Sequence, residues 1–525
     1  MRRIVTTAVA VALIGGAALA PAVAADTTWS TGAGGAGVPS PAEALDLTPE
    51  PALPEFGEPT ASDTLATARR VLEGDARPAD PSATLVLRDL WLRRAELRGA
   101  ERRLADALLA RPTDGVGDPQ GFGYTVAEAP PVCNTRICMH YVPTGTDAPP
   151  SPEWVAQNLA VMDSVWATEV DQMGFRPPVS DGVKGGSPLF DVYLKDLGGD
   201  IYGFCAGEQR AKKRTGSGYC VLDNDFSPAQ FPTGTPEGNL RVTAAHEFFH
   251  AVQYAYDYAE DPWMMESTAT WMEERLASDV NDNRQYLPRS QIYVPYLPLD
   301  LFSRTDGFQY GNWVFWEHLS SQYGTSIVKK AWQQAGSLKQ DGGKYSLTAL
   351  QKVLKKKGGL TKVYATYAAG NLTPAANFPE GAEYPAPRVR GAKALSKNKR
   401  SKRFAVKINH LSSASYVYTP GKGLDGRKWK LAVAVKGPLK RTSPAAVVVA
   451  HLGDGTRQVK MVRLNRGGDG RTKIAFDNTK VAAVSVTLVN ASTRYRCGQR
   501  TVLACAGLPL DDKARFSVTG RVTKR

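Results

Sequence analysis

HEFFHAVQYAYDY, residues 246–258, decides how the rest of the chain is read. His246 and His250 are four residues apart, one helical turn, so both imidazoles leave the same face of a helix and can bind one Zn²⁺. Glu247 follows directly and would sit beside the metal as a general base. The chain has only 6 His, and two of them fall here. The bland reading, a buried helix whose histidines are merely hydrogen-bonded, is outweighed by an acidic second helix, DPWMMESTATWMEE, at 261–274.

H-E-x-x-H supplies two ligands, and a catalytic zinc usually takes a third from the protein and leaves a position for water. Gln253 and Tyr256 stand where a metzincin needs Gly and His, which excludes that class. A downstream carboxylate is required, and Asp257, Glu260, Asp261, Glu266, Glu273 and Glu274 are the candidates. Asp257 and Glu260 are too close along the chain to fold back. Glu266 is far enough for a turn and a returning antiparallel helix, and is the preferred ligand. Glu273, two turns on along the same face, is expected either to hold a ligand imidazole or, with Glu274, to form a solvated face.

With these residues in view the chain resembles the gluzincins, the zincin metallopeptidases that combine H-E-x-x-H with a downstream Glu. PWMMESTATWMEE is similar to their pattern of Trp, two residues, Glu, a small residue, then Ala and an aromatic. HEFFHAVQ, DVYLKDLG, YGNWVFWEHLSSQYG and YATYAAGN resemble a group of exported bacterial metalloproteases, over roughly residues 124–374. The resemblance implies that His246, His250 and Glu266 are zinc ligands and that Glu247 is the catalytic base. Thr270 departs from it, because thermolysin-like gluzincins carry there an Asp that orients a ligand His. Zinc would activate a water and polarise the scissile carbonyl, and Glu247 would pass the proton to the leaving amine. Tyr310, in a Gly-flanked aromatic segment, is the candidate oxyanion stabiliser, with core packing as its bland alternative. In zincins the strand before the motif helix borders the cleft, so GYCVLDNDF, 218–226, is expected there. Asp223, Asn224 and Asp225 read as a turn rather than a Ca²⁺ loop.

The remaining sequence places this region in a longer plan. Residues 1–25 read as a signal peptide, with Arg2 and Arg3, an apolar run, and small residues at Ala22, Ala24 and Ala25. Residues 26–61, rich in Ala, Gly, Pro and Thr, read as a flexible leader. Leu85, Leu87, Leu90, Leu92, Leu97, Leu104 and Leu108 recur at mostly helical intervals, so 62–123 is expected to be a helical hairpin serving as a pro-segment or a simple extension. With no Cys before Cys133, that segment cannot inhibit through a cysteine ligand. Residues 124–374 are the expected α+β zincin-like catalytic domain with a helical lower subdomain, its motif helix drawn from about Asn239 to Tyr258. Residues 375–395 read as a Pro-rich linker, and 396–525 as an all-β sandwich domain, from alternating runs such as FAVKI, WKLAVAVKG and VAAVSVTLVNAS. The fold class is thus multidomain.

The six cysteines fall in close pairs, Cys133 with Cys138, Cys205 with Cys220 and Cys497 with Cys505, and short loop closure favours those pairings. Disulfides and a signal peptide imply a secreted, extracellular protein without a transmembrane anchor. The net charge of +14 is uneven, since residues 391–525 carry 29 Lys and Arg against 6 Asp and no Glu. Such a domain is expected to attract polyanions, whether anionic cell-wall polymers, anionic lipid surfaces or nucleic acid, with solubility alone as the bland alternative, and it carries no motif for sequence-specific nucleic acid reading. The expected function is a secreted zinc peptidase acting on peptide or protein substrates. The alternative is a non-catalytic surface-binding protein with a structural or vestigial zinc site.

Overall fold

Apolar patterning separates the chain into an α+β region and a β-rich C-terminal region. The computed structural model describes residues 59–74, 82–114, 122–212, 214–303, 307–335, 345–426 and 428–524. The signal peptide and nearly all of the leader lie outside the described residues.

Three helices come first: α1 (Ala61–Leu72), α2 (Ala83–Arg93) and α3 (Gly99–Leu108). The expected hairpin is therefore a three-helix unit, because a short 3₁₀ turn at Arg94–Glu96 and extended Leu97 and Arg98 break the leucine pattern. Strands β1 (Val132–Cys133), β2 (Ile137–His140), β3 (Phe190–Lys195), β4 (Gly203–Lys212) and β5 (Thr215–Asp223) form a mixed sheet in the order β1-β2-β3-β5-β4. β2, β3 and β5 run parallel, and β4 is an antiparallel edge strand beside β5. GYCVLDNDF is thus interior, which corrects the expectation that it borders the cleft: the hairpin partner β4 takes the edge. The Asp223 carboxylate accepts from the Asp225, Phe226 and Leu197 amides, a turn as expected.

Helix α4 (Pro152–Trp166) starts at Ser151, whose hydroxyl accepts from the Trp154 amide, with Pro152 in the first turn. The motif helix α5 (Pro236–Tyr254) starts three residues before the expected point. Thr235 caps it through the Gly238 amide, and Pro236 fixes its first turn. α6 (Pro262–Leu276) returns against it after a short turn. Asp261, a candidate ligand in the sequence, stands before Pro262 at the start of α6, and its carboxylate accepts from Ser346 and the Cys505 amide instead of capping the helix. Both helices are buried nearly all round, so their few polar side chains must be satisfied inside the protein. Helices α7 (Phe308–Gly311), α8 (Trp313–Tyr323), α9 (Ser326–Ala335), α10 (Ser346–Leu354) and α11 (Leu360–Gly370) supply aromatic packing beneath them.

The C-terminal strands are β6 (Gly391–Leu395), β7 (Ser401–Ile408), β8 (Ser412–Pro420), β9 (Trp429–Lys436), β10 (Pro444–Leu452), β11 (Arg457–Met461), β12 (Asp469–Ala475), β13 (Val481–Asn490), β14 (Tyr495–Arg496), β15 (Leu508–Pro509) and β16 (Ala514–Lys524). Sheets β11-β10-β13-β8-β6 and β12-β9-β16-β7 share one core. β6 lies in the stretch read as linker, where GAKAL pairs parallel with β8. The outer face of the first sheet is covered too: Leu411, Val447, Val449 and Val489 join the apolar cluster of the helices, and α11 packs on β10 and β13. The three disulfides join the neighbouring cysteines as expected. No helix among the described residues is long and apolar enough to cross a membrane.

One buried ionic joint ties the two regions. His410, just before β8, lies 3.0 Å from Asp300 and 3.2 Å from Asp512, and Tyr495 donates to Asp300 at 2.5 Å. Burial alone would lower the imidazole, but the Asp300 charge and hydrogen bond reverse this and push it up to about 9. Since the folded value lies above the unfolded one of about 6.5, the stabilisation is full below about pH 6.5 and is lost as pH rises through about 9. Urea denaturation should therefore show stability falling over that window, and His410→Gln should flatten the fall. An unchanged slope in that variant would show that His410 does not titrate there.

Candidate metal centre

The antiparallel packing of α5 on α6 brings three side chains to one point. His246 Nε2 is 3.1 Å and His250 Nε2 3.7 Å from Glu266 Oε2, and the three candidate ligand atoms lie within 4.8 Å of one another. Among the described residues no other such cluster of His, Cys, Asp and Glu occurs. His250 and Glu266 are fully buried.

Each imidazole is held from behind. His246 Nδ1 lies 2.6 Å from Glu273 Oε1. His250 Nδ1 donates to Gln253 Oε1 at 2.9 Å, while the Gln253 amide donates to the Met265 carbonyl and to Thr268. Those contacts fix the Gln253 amide, so His250 keeps its Nε2 lone pair toward the cluster. Glu273 thus orients the His246 ring, and Thr270 donates back to the Glu266 carbonyl. Glu274 is likewise buried, accepting from Asn283 at 2.7 Å, so the solvated-face alternative is not what forms. Asp257 instead pairs with Arg214, and Glu260 accepts from the Asp261 and Ser346 amides.

The charges suit a cation. Burial would lower His246, yet the Glu266 and Glu273 carboxylates hold it well above its ordinary value. Burial would raise Glu266, but the His246 hydrogen bond keeps it below the usual carboxylate range. Burial lowers His250, leaving it neutral, and its Nε2 is buried without a hydrogen-bond partner. Burial pushes Glu273 up to about 7, moderated by His246. A proton on His246 thus supplies the positive charge that a bound cation would bring. Two imidazoles and one carboxylate are a donor set that fits Zn²⁺, and the unpartnered His250 Nε2 is the atom such an ion would satisfy.

Glu247, Tyr310 and Tyr286 line an adjoining cavity of about 390 Å³ with His246, Glu273 and Thr243. The Tyr310 ring centroid is 6.1 Å from that of His246 and 5.0 Å from Tyr286, on which it stacks. Gly307, at φ 67°, starts the short α7, and Gly311 lies so close to the Tyr286 carbonyl that a Cβ would come within 2.7 Å. These two glycines seat Tyr310 against the site. Burial raises its phenol well above the ordinary value, so it remains a donor.

Two further contacts leave no mark in the sequence. Ser82 Oγ donates to Glu266 Oε1 at 2.6 Å, and Thr84 Oγ1 donates to Glu247 Oε2 at 2.7 Å. Ser82 looks like an ordinary cap of α2, which it also is through the Leu85 amide. Nothing local reveals partners more than 160 residues away.

No family model and no curated protein matches the chain. Solved structures give distant likenesses. The pre-peptidase C-terminal domain of a collagenase from Bacillus anthracis is 7% identical with TM-score 0.15, covering 25% of this chain and 94% of that one. The GH115 4-O-methyl-alpha-glucuronidase BtGH115A is 13% identical with TM-score 0.14, covering 58% and 36%. At such scores nothing transfers from them to this chain.

If Glu266 is a ligand, Glu266→Gln removes the anionic donor at constant volume and should weaken zinc binding markedly, measured by competition with a chromophoric chelator. Glu273→Gln should cost only about 10- to 100-fold. Wild-type affinity in Glu266→Gln would remove it from the ligand set.

Proposed function

We propose that this chain is a secreted zinc-dependent peptidase in which His246, His250 and Glu266 hold the metal and Glu247 is the general base. The observation that carries this is the convergence of the three candidate ligands, one of which, His246, lines a cavity together with Glu247. Zinc bound there would polarise a peptide carbonyl and make a water acidic enough to attack near neutral pH. Glu247 would take the proton of that water and deliver it to the leaving amine. Tyr310 would donate to the oxyanion that develops at the scissile carbonyl. Glu273 and Gln253 keep both Nε2 atoms aimed at the metal position, and the three disulfides suit an oxidising, extracellular destination.

A structural zinc would close its shell with four protein ligands, whereas the cluster offers three among the described residues, which favours the catalytic reading over a structural site. Glu247→Ala should therefore retain stoichiometric zinc and lose hydrolysis of a peptide library. Unchanged, chelator-sensitive turnover in that variant would refute the assigned base.

Surface binding is a companion role supported by the outward face of sheet β12-β9-β16-β7. The register sets Arg403, Lys407, Lys436, Arg471, Lys473, Arg515 and Arg521 on that face, with Asp469 as its one acid. Only Ala, Ser, Thr and Lys430 lie between them, so the face offers charge without aromatic stacking or apolar insertion. Same-side residues on a strand are about 6.6 Å apart and strands about 4.8 Å apart, a cationic grid suited to a linear phosphodiester polymer of the cell wall. Arg471→Glu, Lys473→Glu and Arg521→Glu together should abolish co-sedimentation with poly(glycerol phosphate) at physiological salt and leave peptide hydrolysis intact. Retained binding would place the contact elsewhere.

A further inference from the structure

The groups proposed for catalysis are each engaged by one short stretch of the same chain. Ser82 Oγ holds Glu266 and shares a side-chain hydrogen bond with Tyr310, and Thr84 Oγ1 holds Glu247. Thr84 Oγ1 also accepts from the Cys205 amide at 2.9 Å. Cys205 lies in β4, the edge strand, and this amide points away from β5, toward the space where an added strand would pair. One hydroxyl therefore spans the edge of the sheet and the carboxylate of the base.

The stretch is anchored by contacts that avoid those groups. Leu87 and Leu90 are fully buried. The Trp91 ring rests on Gly207 of β4 and Gly216 of β5, where a Cβ would come within 2.4 and 2.7 Å of it. Arg88, also buried, donates to the Glu260 carbonyl at 3.1 Å. Farther along, Arg111 is ion-paired with Asp181, Asp191 and Glu208. Two of those carboxylates have a second partner, His140 for Asp191 and Lys184 for Glu208, both at 2.9 Å. Of these three carboxylates, Asp181 is the one with Arg111 as its single ion-pair partner among the described residues.

Backbone geometry separates a plug from a substrate. The chain is helical from Ala83, and a helical turn cannot lie extended along β4 with its carbonyls and amides paired to the strand. We infer that residues 82–84 are an autoinhibitory plug, seated in a channel between β4 and α5 that takes an extended polypeptide strand once the plug is displaced. This rests on the zinc-peptidase reading of the same site, and it assigns the helices before residue 114 the inhibitory role rather than that of an inert extension.

The test uses the full-length, zinc-loaded chain and an N-blocked dipeptide hydroxamate, which needs both the metal and the channel but no turnover. Its affinity is measured by calorimetry for the wild type, for Ser82→Ala/Thr84→Ala, and for Trp91→Ala. Blocking reduces apparent affinity by the fraction of molecules that are open, so both variants should bind about tenfold tighter or more and hydrolyse a peptide library faster. The double variant removes two hydroxyls and leaves the apolar anchor whole, so it stays informative if Trp91→Ala does not fold. Equal or weaker binding and slower turnover in the double variant would overturn the plug, showing that the hydroxyls position Glu266 and Glu247 for catalysis. Absence of bound zinc in every form, measured separately by metal analysis, would overturn the plug together with the peptidase reading beneath it.

Discussion

A carboxylate buried between two imidazoles is the constraint on which the site depends. Glu266 is wholly inside the protein, at the contact of two helices that are apolar on nearly every side. An ionised group there is tolerable only with opposite charge and hydrogen bonds around it. His246, His250 and the Ser82 hydroxyl supply them, and Glu273 and Gln253 hold the imidazoles in turn. The polar cluster joins α5 to α6 through His246, His250 and Gln253 on one helix and Glu266, Thr268 and Glu273 on the other. Positive charge at the Nε2 atoms is what balances the buried Glu266 carboxylate.

That cluster also explains the shape of its surroundings. The short turn between α5 and α6 brings Glu266 opposite His250, and the mixed sheet holds α5 from above through β4 and β5. The lower helices fill the space beneath with tryptophans whose indole N–H groups find partners on α6, Trp316 on Ser267 and Trp332 on Thr268, while Trp263 of α6 donates to Ser346 of α10. A mobile second helix would leave Glu266 free to swing out to water. Packing on both sides keeps it in.

Much of this was legible because it is local or periodic. Helical spacing put His246 and His250 on one face, and the length of chain to Glu266 allowed a returning helix. The alternation in WKLAVAVKG matched a strand with one buried face, and short loop closure matched all three cysteine pairs. Strand order was not legible: the second half of β4, Gln209 to Lys212, is exposed and mostly polar and reads as loop, so only its pairing with β5 shows it to be the edge strand. Nor was Gln253: it excludes one ligand pattern in the sequence, and its contact with His250 appears only once its amide is seen pinned by α6. Ser82 and Thr84 lay beyond reach for a different reason, since a hydroxyl at a helix start satisfies the local cap and carries no mark of a distant partner.

X-ray absorption at the zinc edge of the metal-loaded protein would decide whether the cluster is a catalytic zinc site. The expected spectrum shows one zinc per chain with two imidazole nitrogens at about 2.0–2.1 Å, a carboxylate oxygen, and a further light-atom position left to solvent. A shell closed by four protein ligands, or stoichiometric zinc without histidine scattering, would contradict it.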